Sequence, residues 1–123
     1  MFLEQMADTV RSYLDSGSWT IWVAAEQASG RLVGTTYLQR IAKVPRPYPR
    51  PPAWGYVTNV YVVPELRNAG VGRRMLDAMI RETREEGMDT LLLWPSERAV
   101  PFYLRAGFAT PPSALELELD AGG

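Results

Sequence analysis

Arg67, Gly70, Gly72, Arg73 and Arg74 lie within one short span, and their types and spacing suit the capture of a phosphate. They fall where a run of strand formers, Val57 to Val63, is stopped by Pro64 and an amphipathic pattern begins at Val71. A helix N-terminus carries partial positive charge and unpaired N–H groups, so an exposed cation there costs about 0.3 to 1 kcal/mol. Three arginines crowd this end and Glu65 is the one acid that answers them. An anion supplied from outside the chain resolves the conflict. Free N–H groups, the helix dipole, glycines that admit close approach and flanking arginines together make a phosphate cradle. The plainer reading, a solvated turn with a glycine in a left-handed conformation, stays open on this pattern alone.

The span lacks the third small residue of a dinucleotide fingerprint, because Gly70-Val71-Gly72 continues as Arg73-Arg74-Met75. It also lacks the Gly-Lys-Ser/Thr that closes a P-loop. Arg67-x-x-Gly70-x-Gly72 after a strand instead resembles the acetyl-CoA pyrophosphate motif of the GNAT superfamily of acyl-CoA N-acyltransferases. Downstream, Ser96-x-x-Ala99-x-x-Phe102-Tyr103-x-x-x-Gly107-Phe108 resembles that superfamily's second signature. One helix and one strand separate the two motifs, and the resemblance runs from about Trp19 to Leu119.

The resemblance implies an α/β fold with a central mixed, mostly antiparallel sheet, a splayed parallel strand pair and flanking helices. It implies that acetyl-CoA, as co-substrate, lies in the gap between the splayed strands Val57 to Val63 and Thr90 to Trp94. Val60, Tyr61 and Val62 would then offer main-chain bonds to pantetheine, and the turn of Arg67, Asn68, Ala69, Gly70, Val71, Gly72 and Arg73 would hold the pyrophosphate. Tyr103 aligns with the tyrosine that protonates the departing thiolate in many members. A phenol with a pKa of about 10 can donate to a thiolate whose acid has a pKa of about 8.5. Ser96 stands where the family more often has an asparagine touching the cofactor. For the base that deprotonates the amine, Glu65, Glu97 or water held by Thr58 and Asn59 remain alternatives. The expected activity is direct transfer of acetyl from acetyl-CoA to a small-molecule or peptide amine, and a silent acyl-CoA-binding or regulatory module is the alternative.

Absences narrow the chemistry further. The 123 residues include no cysteine and no histidine, which removes disulfides, thiol nucleophiles, Ser-His-Asp triads and the usual zinc sites. No covalent enzyme intermediate and no metal are therefore expected. A net charge of −1 argues against a general nucleic-acid binder, and no stretch is apolar and long enough for a membrane span. A cytoplasmic location is expected from the missing export signal.

Elements must position these residues. Phe2 to Leu14 has helical apolar spacing, with Gly17 as its stop. Trp19 to Glu26 and Leu32 to Ile41 read as strands joined at Ala28-Ser29-Gly30. The family's usual opening strand and helix have no evident counterpart before Trp19, so residues 1 to 123 are expected to be a single domain that is either truncated or alternatively started at its N-terminus, or whose first helix does double duty; with the first strand missing, the strand from Trp19 becomes a sheet edge. The family's frequent dimers make a homodimer one way to cover that edge. Proline repeats between Ala42 and Gly55 predict a stiff extended loop, read either as a lid with Tyr48 and Trp54, as a spacer, or as an SH3-type ligand. Val71, Met75, Leu76, Met79 and Ile80 mark the central helix, capped by Gly87. A last helix ends at Gly107, and alternation of Leu115, Leu117 and Leu119 with acids predicts a half-buried final strand.

Overall fold

The computed structural model describes residues 2–43, 53–110 and 115–119. Its elements in chain order are helix α1 (Phe2–Ser16), strands β1 (Trp19–Ala25), β2 (Leu32–Ala42) and β3 (Ala53–Val62), helix α2 (Val71–Glu85), strand β4 (Leu91–Leu92) and helix α3 (Val100–Arg105). Single 3-10 turns at Pro64–Leu66 and Glu97–Ala99 precede α2 and α3. The sheet order is β1-β2-β3-β4, antiparallel except for the β3–β4 pair. This is the mixed α/β architecture expected. None of the described helices is long and apolar enough to cross a membrane.

One face of the sheet meets α2. Leu38 and Val57 on the strands and Leu76 and Met79 on the helix form the buried cluster, with Phe102 and Tyr103 of α3 packed against it. Met75, Leu76, Met79 and Thr83 share the buried stripe of α2, as spacings of three and four require. The Thr83 hydroxyl stays satisfied there by donating back to the Met79 carbonyl at 2.9 Å. Contact is close at Gly55, where an added Cβ would lie 2.5 Å from Leu91 and 2.8 Å from Leu38. Two residues beyond Leu38 on β2, Arg40 clasps both carboxylate oxygens of Glu86 at 2.9 and 2.6 Å, tying that strand to the end of α2.

A bulge in β3 decides what each face of that strand carries. Thr35 pairs with Tyr61 but Tyr37 pairs with Thr58, so Asn59 and Val60 together face Thr36. Asn59 takes the extra residue's left-handed conformation, φ 53°, which asparagine tolerates better than most residues. Thr36, buried opposite the extra residue, has a hydroxyl without a partner among the described residues. Simple alternation from Val57 would have placed Asn59 and Tyr61 beside it; the bulge places Val60 and Val62 there instead.

Other expectations need correction. The proline-containing stretch 44–52, including Tyr48, lies outside the described residues, and the flanking strands extend further than the sequence pattern indicated, to Ala42 and from Ala53. Strand β4 is Leu91–Leu92 rather than Thr90 to Trp94, because the pairing with β3 stops at Tyr56↔Leu92. Residues 115–119 form no strand, and Leu115, Leu117 and Leu119 are 99%, 80% and 89% exposed. Alternation prescribes a face only when a neighbouring strand supplies the ladder, and none of the described strands pairs with this segment. At the other end, β1 has β2 as its one partner among the described strands, and α1 contacts β1.

Candidate active site

A cavity of about 470 Å³ opens where β3, the turn before α2, and α3 converge. Its floor is the start of α2. Gly70 precedes the helix with φ 88°, a left-handed conformation natural to glycine, and no side chain among the described residues caps the helix. The first helical hydrogen bond runs from the Arg74 N–H to the Gly70 carbonyl at 3.0 Å. The N–H groups of Val71, Gly72 and Arg73 therefore have no backbone acceptor among the described residues and, with the dipole, make the floor an anion site. An added Cβ at Gly70 would meet nothing within 4 Å, so that side of the turn is open.

The wall is the free edge of β3. The Val63 N–H bonds to the Val33 carbonyl on β2 at 2.9 Å, so by alternation the main-chain groups of Val62 and Val60 point to the opposite edge. Pairing with β4 ends at Tyr56, which leaves that edge without a strand beyond it among the described residues. The side chains of Val60, Val62, Leu66, Ala99 and Phe102 make the lining apolar. Arg67, Arg73 and Arg105 supply a cationic rim. Arg67 is held by its Nε donating to the Val62 carbonyl at 3.0 Å and by its guanidinium over the Tyr61 ring. Arg73 is oriented by Asp77 at 2.9 Å and by donating to the Arg105 carbonyl at 3.0 Å.

Tyr103 also lines this cavity, half-buried between Phe102 and Phe108, whose rings meet it edge-on at 5.0 and 5.7 Å. Burial pushes its phenol above the ordinary value, which keeps it protonated at neutral pH. Its hydroxyl has no hydrogen-bond partner among the described residues.

Of the residues singled out by sequence, Val60, Val62, Arg67, Asn68, Gly70, Gly72, Arg73 and Tyr103 line one cavity. Tyr61, Ala69, Val71 and Ser96 do not line it. Tyr61 points to the other face because of the bulge, and Ser96 lies exposed at the head of the turn whose last residue, Ala99, reaches the cavity. Glu65 is drawn away by Arg31, whose hydrogen bond holds its carboxylate below the usual range. Glu97 is exposed outside the cavity, while Thr58 and Asn59 line a separate hollow on the second face of the sheet. Leu66 and Arg105 line the cavity without having been singled out; Arg105 is far from the glycine turn in sequence, so only folding reveals it. Among the described residues, no cluster of acids could hold a metal.

Strand, bulge, uncapped helix start and a parallel strand pair define an acyltransferase-like α/β protein, and residues 17–110 match the acetyltransferase (GNAT) domain family. The chain belongs to that family. It is 31% identical over 97 residues to glucosamine 6-phosphate N-acetyltransferase of Trypanosoma brucei brucei, covering 79% of this chain but 64% of that protein. It is 32% identical over 59 residues to serotonin N-acetyltransferase 2, chloroplastic, of Oryza sativa subsp. japonica, covering 48% of this chain and 30% of the relative. A predicted acetyltransferase from Clostridium acetobutylicum, crystallised with acetyl-CoA, superposes with a TM-score of 0.77 at 26% identity, covering 94% of this chain and 74% of that one. The chain thus spans under two thirds of the length of the curated relatives it matches.

Proposed function

We propose that the protein transfers the acetyl group of acetyl-CoA directly to an amine. The observation that carries this reading is the uncapped start of α2, opening into a cavity whose rim is cationic and whose wall is apolar. Those features match the two ends of a phosphopantetheine ligand. The N–H groups of Val71, Gly72 and Arg73, with Arg67 and Arg73, would hold the pyrophosphate. The main chain of Val60 and Val62 would hold the arm along the free edge of β3, and a backbone N–H there would stabilise charge on the thioester oxygen. The amine nitrogen bonds to the acetyl carbon as the carbon–sulfur bond breaks. Tyr103 donates its proton to the departing sulfur, and the proton shed by the new amide nitrogen restores the phenol. Holding both reactants in one cleft supplies the rest of the acceleration.

A silent acyl-CoA-binding module remains the second reading, favoured by one observation: among the described residues no acid lines the cavity, and Glu65 is committed to Arg31. Turnover separates the two. Acetyl-CoA consumption across a panel of primary amines should exceed hydrolysis without amine. CoA binding by calorimetry with no amine-dependent turnover would instead establish the silent module. The relatives act, by name, on glucosamine 6-phosphate and on serotonin, so they leave the acceptor open.

A further inference from the structure

The second face of the sheet bears a hollow of about 480 Å³ that the cofactor cavity does not share. Its lining follows from strand register. Trp19, Gln39 and Tyr56 stand directly opposite one another on β1, β2 and β3, and Tyr37 stands opposite Thr58 in the next row. Asn59, the bulge residue, completes it. The Trp19 and Tyr37 rings meet edge to face at 6.4 Å, and Trp94 continues the aromatic wall against Tyr56 at 5.5 Å.

None of the six lining residues bears a charge. Arg40, adjacent to Gln39 in sequence, is turned to the other face, where Glu86 and Thr20 engage it. A phosphate entering such a hollow would lose hydration without meeting the Arg or Lys that phosphate recognition ordinarily uses. An amine borne on a flat apolar group would be served well, with its ammonium drawn to ring faces and its body packed on them. The hollow also lies next to the proposed reaction. Thr58 and Asn59 line it, while the following residue, Val60, lines the cofactor cavity. Because β4 stops opposite Tyr56, no described strand closes the sheet beyond that point.

We infer that the acceptor occupies this hollow and that it is an arylalkylamine rather than a phosphorylated sugar amine. This rests on the acetyl-transfer reading above. The bound ammonium releases one proton to water before its nitrogen takes the acetyl group from the opposite face of β3.

The test is calorimetric titration of phenethylamine and of glucosamine 6-phosphate, into the protein alone and into the protein saturated with CoA. Phenethylamine should bind saturably and the phosphosugar should not. Gln39→Arg, which adds a cation to the middle of the row, should weaken phenethylamine about tenfold and create measurable affinity for the phosphosugar. Tyr56→Leu keeps the strand apolar and should weaken phenethylamine alone. Tighter binding of glucosamine 6-phosphate than of phenethylamine by the unaltered protein would overturn the inference. Phenethylamine affinity indifferent to both substitutions would overturn it as well. Failure of CoA to bind would remove the acetyl-transfer reading separately, since the titrations into protein alone still report what the hollow takes.

Discussion

The cavity at the α2 N-terminus and the hollow on the far side of β3 share one strand but draw on different parts of it. The cavity takes its anion site largely from main chain, with arginine side chains at its rim: uncapped N–H groups, a left-handed glycine, and the edge of β3 that faces away from β2. The hollow is made of side chains set in rows by three strands in register, and none of its described lining residues carries a charge. A site built from backbone is general, because it reads what every acyl-CoA has in common. One built from side chains is particular. The bulge at Asn59 lets one strand serve both, by turning Val60 and Val62 toward the cavity and Tyr61 away from it.

The sharpest way to break this division is at Tyr103, the side chain of that cavity to which a chemical step is assigned. Tyr103→Phe keeps the ring contacts with Phe102 and Phe108 and removes a hydroxyl that has no partner among the described residues, so stability should hardly change. Turnover should fall by a factor of about 100 to 10,000, while CoA affinity falls far less. Near-normal kcat in the variant would make Tyr103 a packing residue.

A smaller effect concerns the frame that holds both sites. Arg40 depresses the Glu86 carboxylate through its hydrogen bonds, so the pair contributes stability above the ordinary carboxylate pKa, and that contribution is lost as pH falls through the lowered value. Glu86→Gln should cost about 0.5 to 1 kcal/mol at pH 7, as expected of a partly exposed, screened pair. Denaturant midpoints of the variant and the parent should converge in acid, once the pH has fallen below the lowered Glu86 value, with CoA affinity equal throughout. A difference that persists in acid would assign the loss to packing rather than to charge.

How much of each site could be read from the sequence follows the same division. Glycines and arginines beside a helix start announce themselves locally, which is why Arg67, Gly70 and Gly72 could be picked out before any fold was known. The hollow could not be, because Trp19, Gln39 and Tyr56 come together only through the register of two hairpins. The signal for the bulge was present but unused: Asn59 is the one residue in Val57 to Val63 that strands disfavour and left-handed conformations accept. The final strand failed for the opposite reason, since Leu115, Leu117 and Leu119 alternate without a described partner to alternate against. Helix α2 was the most legible element, as its apolar stripe and its cap residues agree.

The most direct measurement is calorimetric titration of CoA into the protein, into Gly70→Asp and into Gly30→Asp. Both glycines have positive φ, 88° and 73°, and neither would bring an added Cβ within 4 Å of another atom, so the two substitutions strain the fold alike. Gly30 lies in the β1–β2 hairpin, away from the cavity, whereas Gly70 lies on its floor. A carboxylate at position 70 sets negative charge against phosphate and blocks close backbone approach, so affinity should fall by about 100-fold or more. Gly30→Asp should bind CoA like the parent. Equal affinity in all three proteins would contradict the assignment of the α2 N-terminus as the pyrophosphate site.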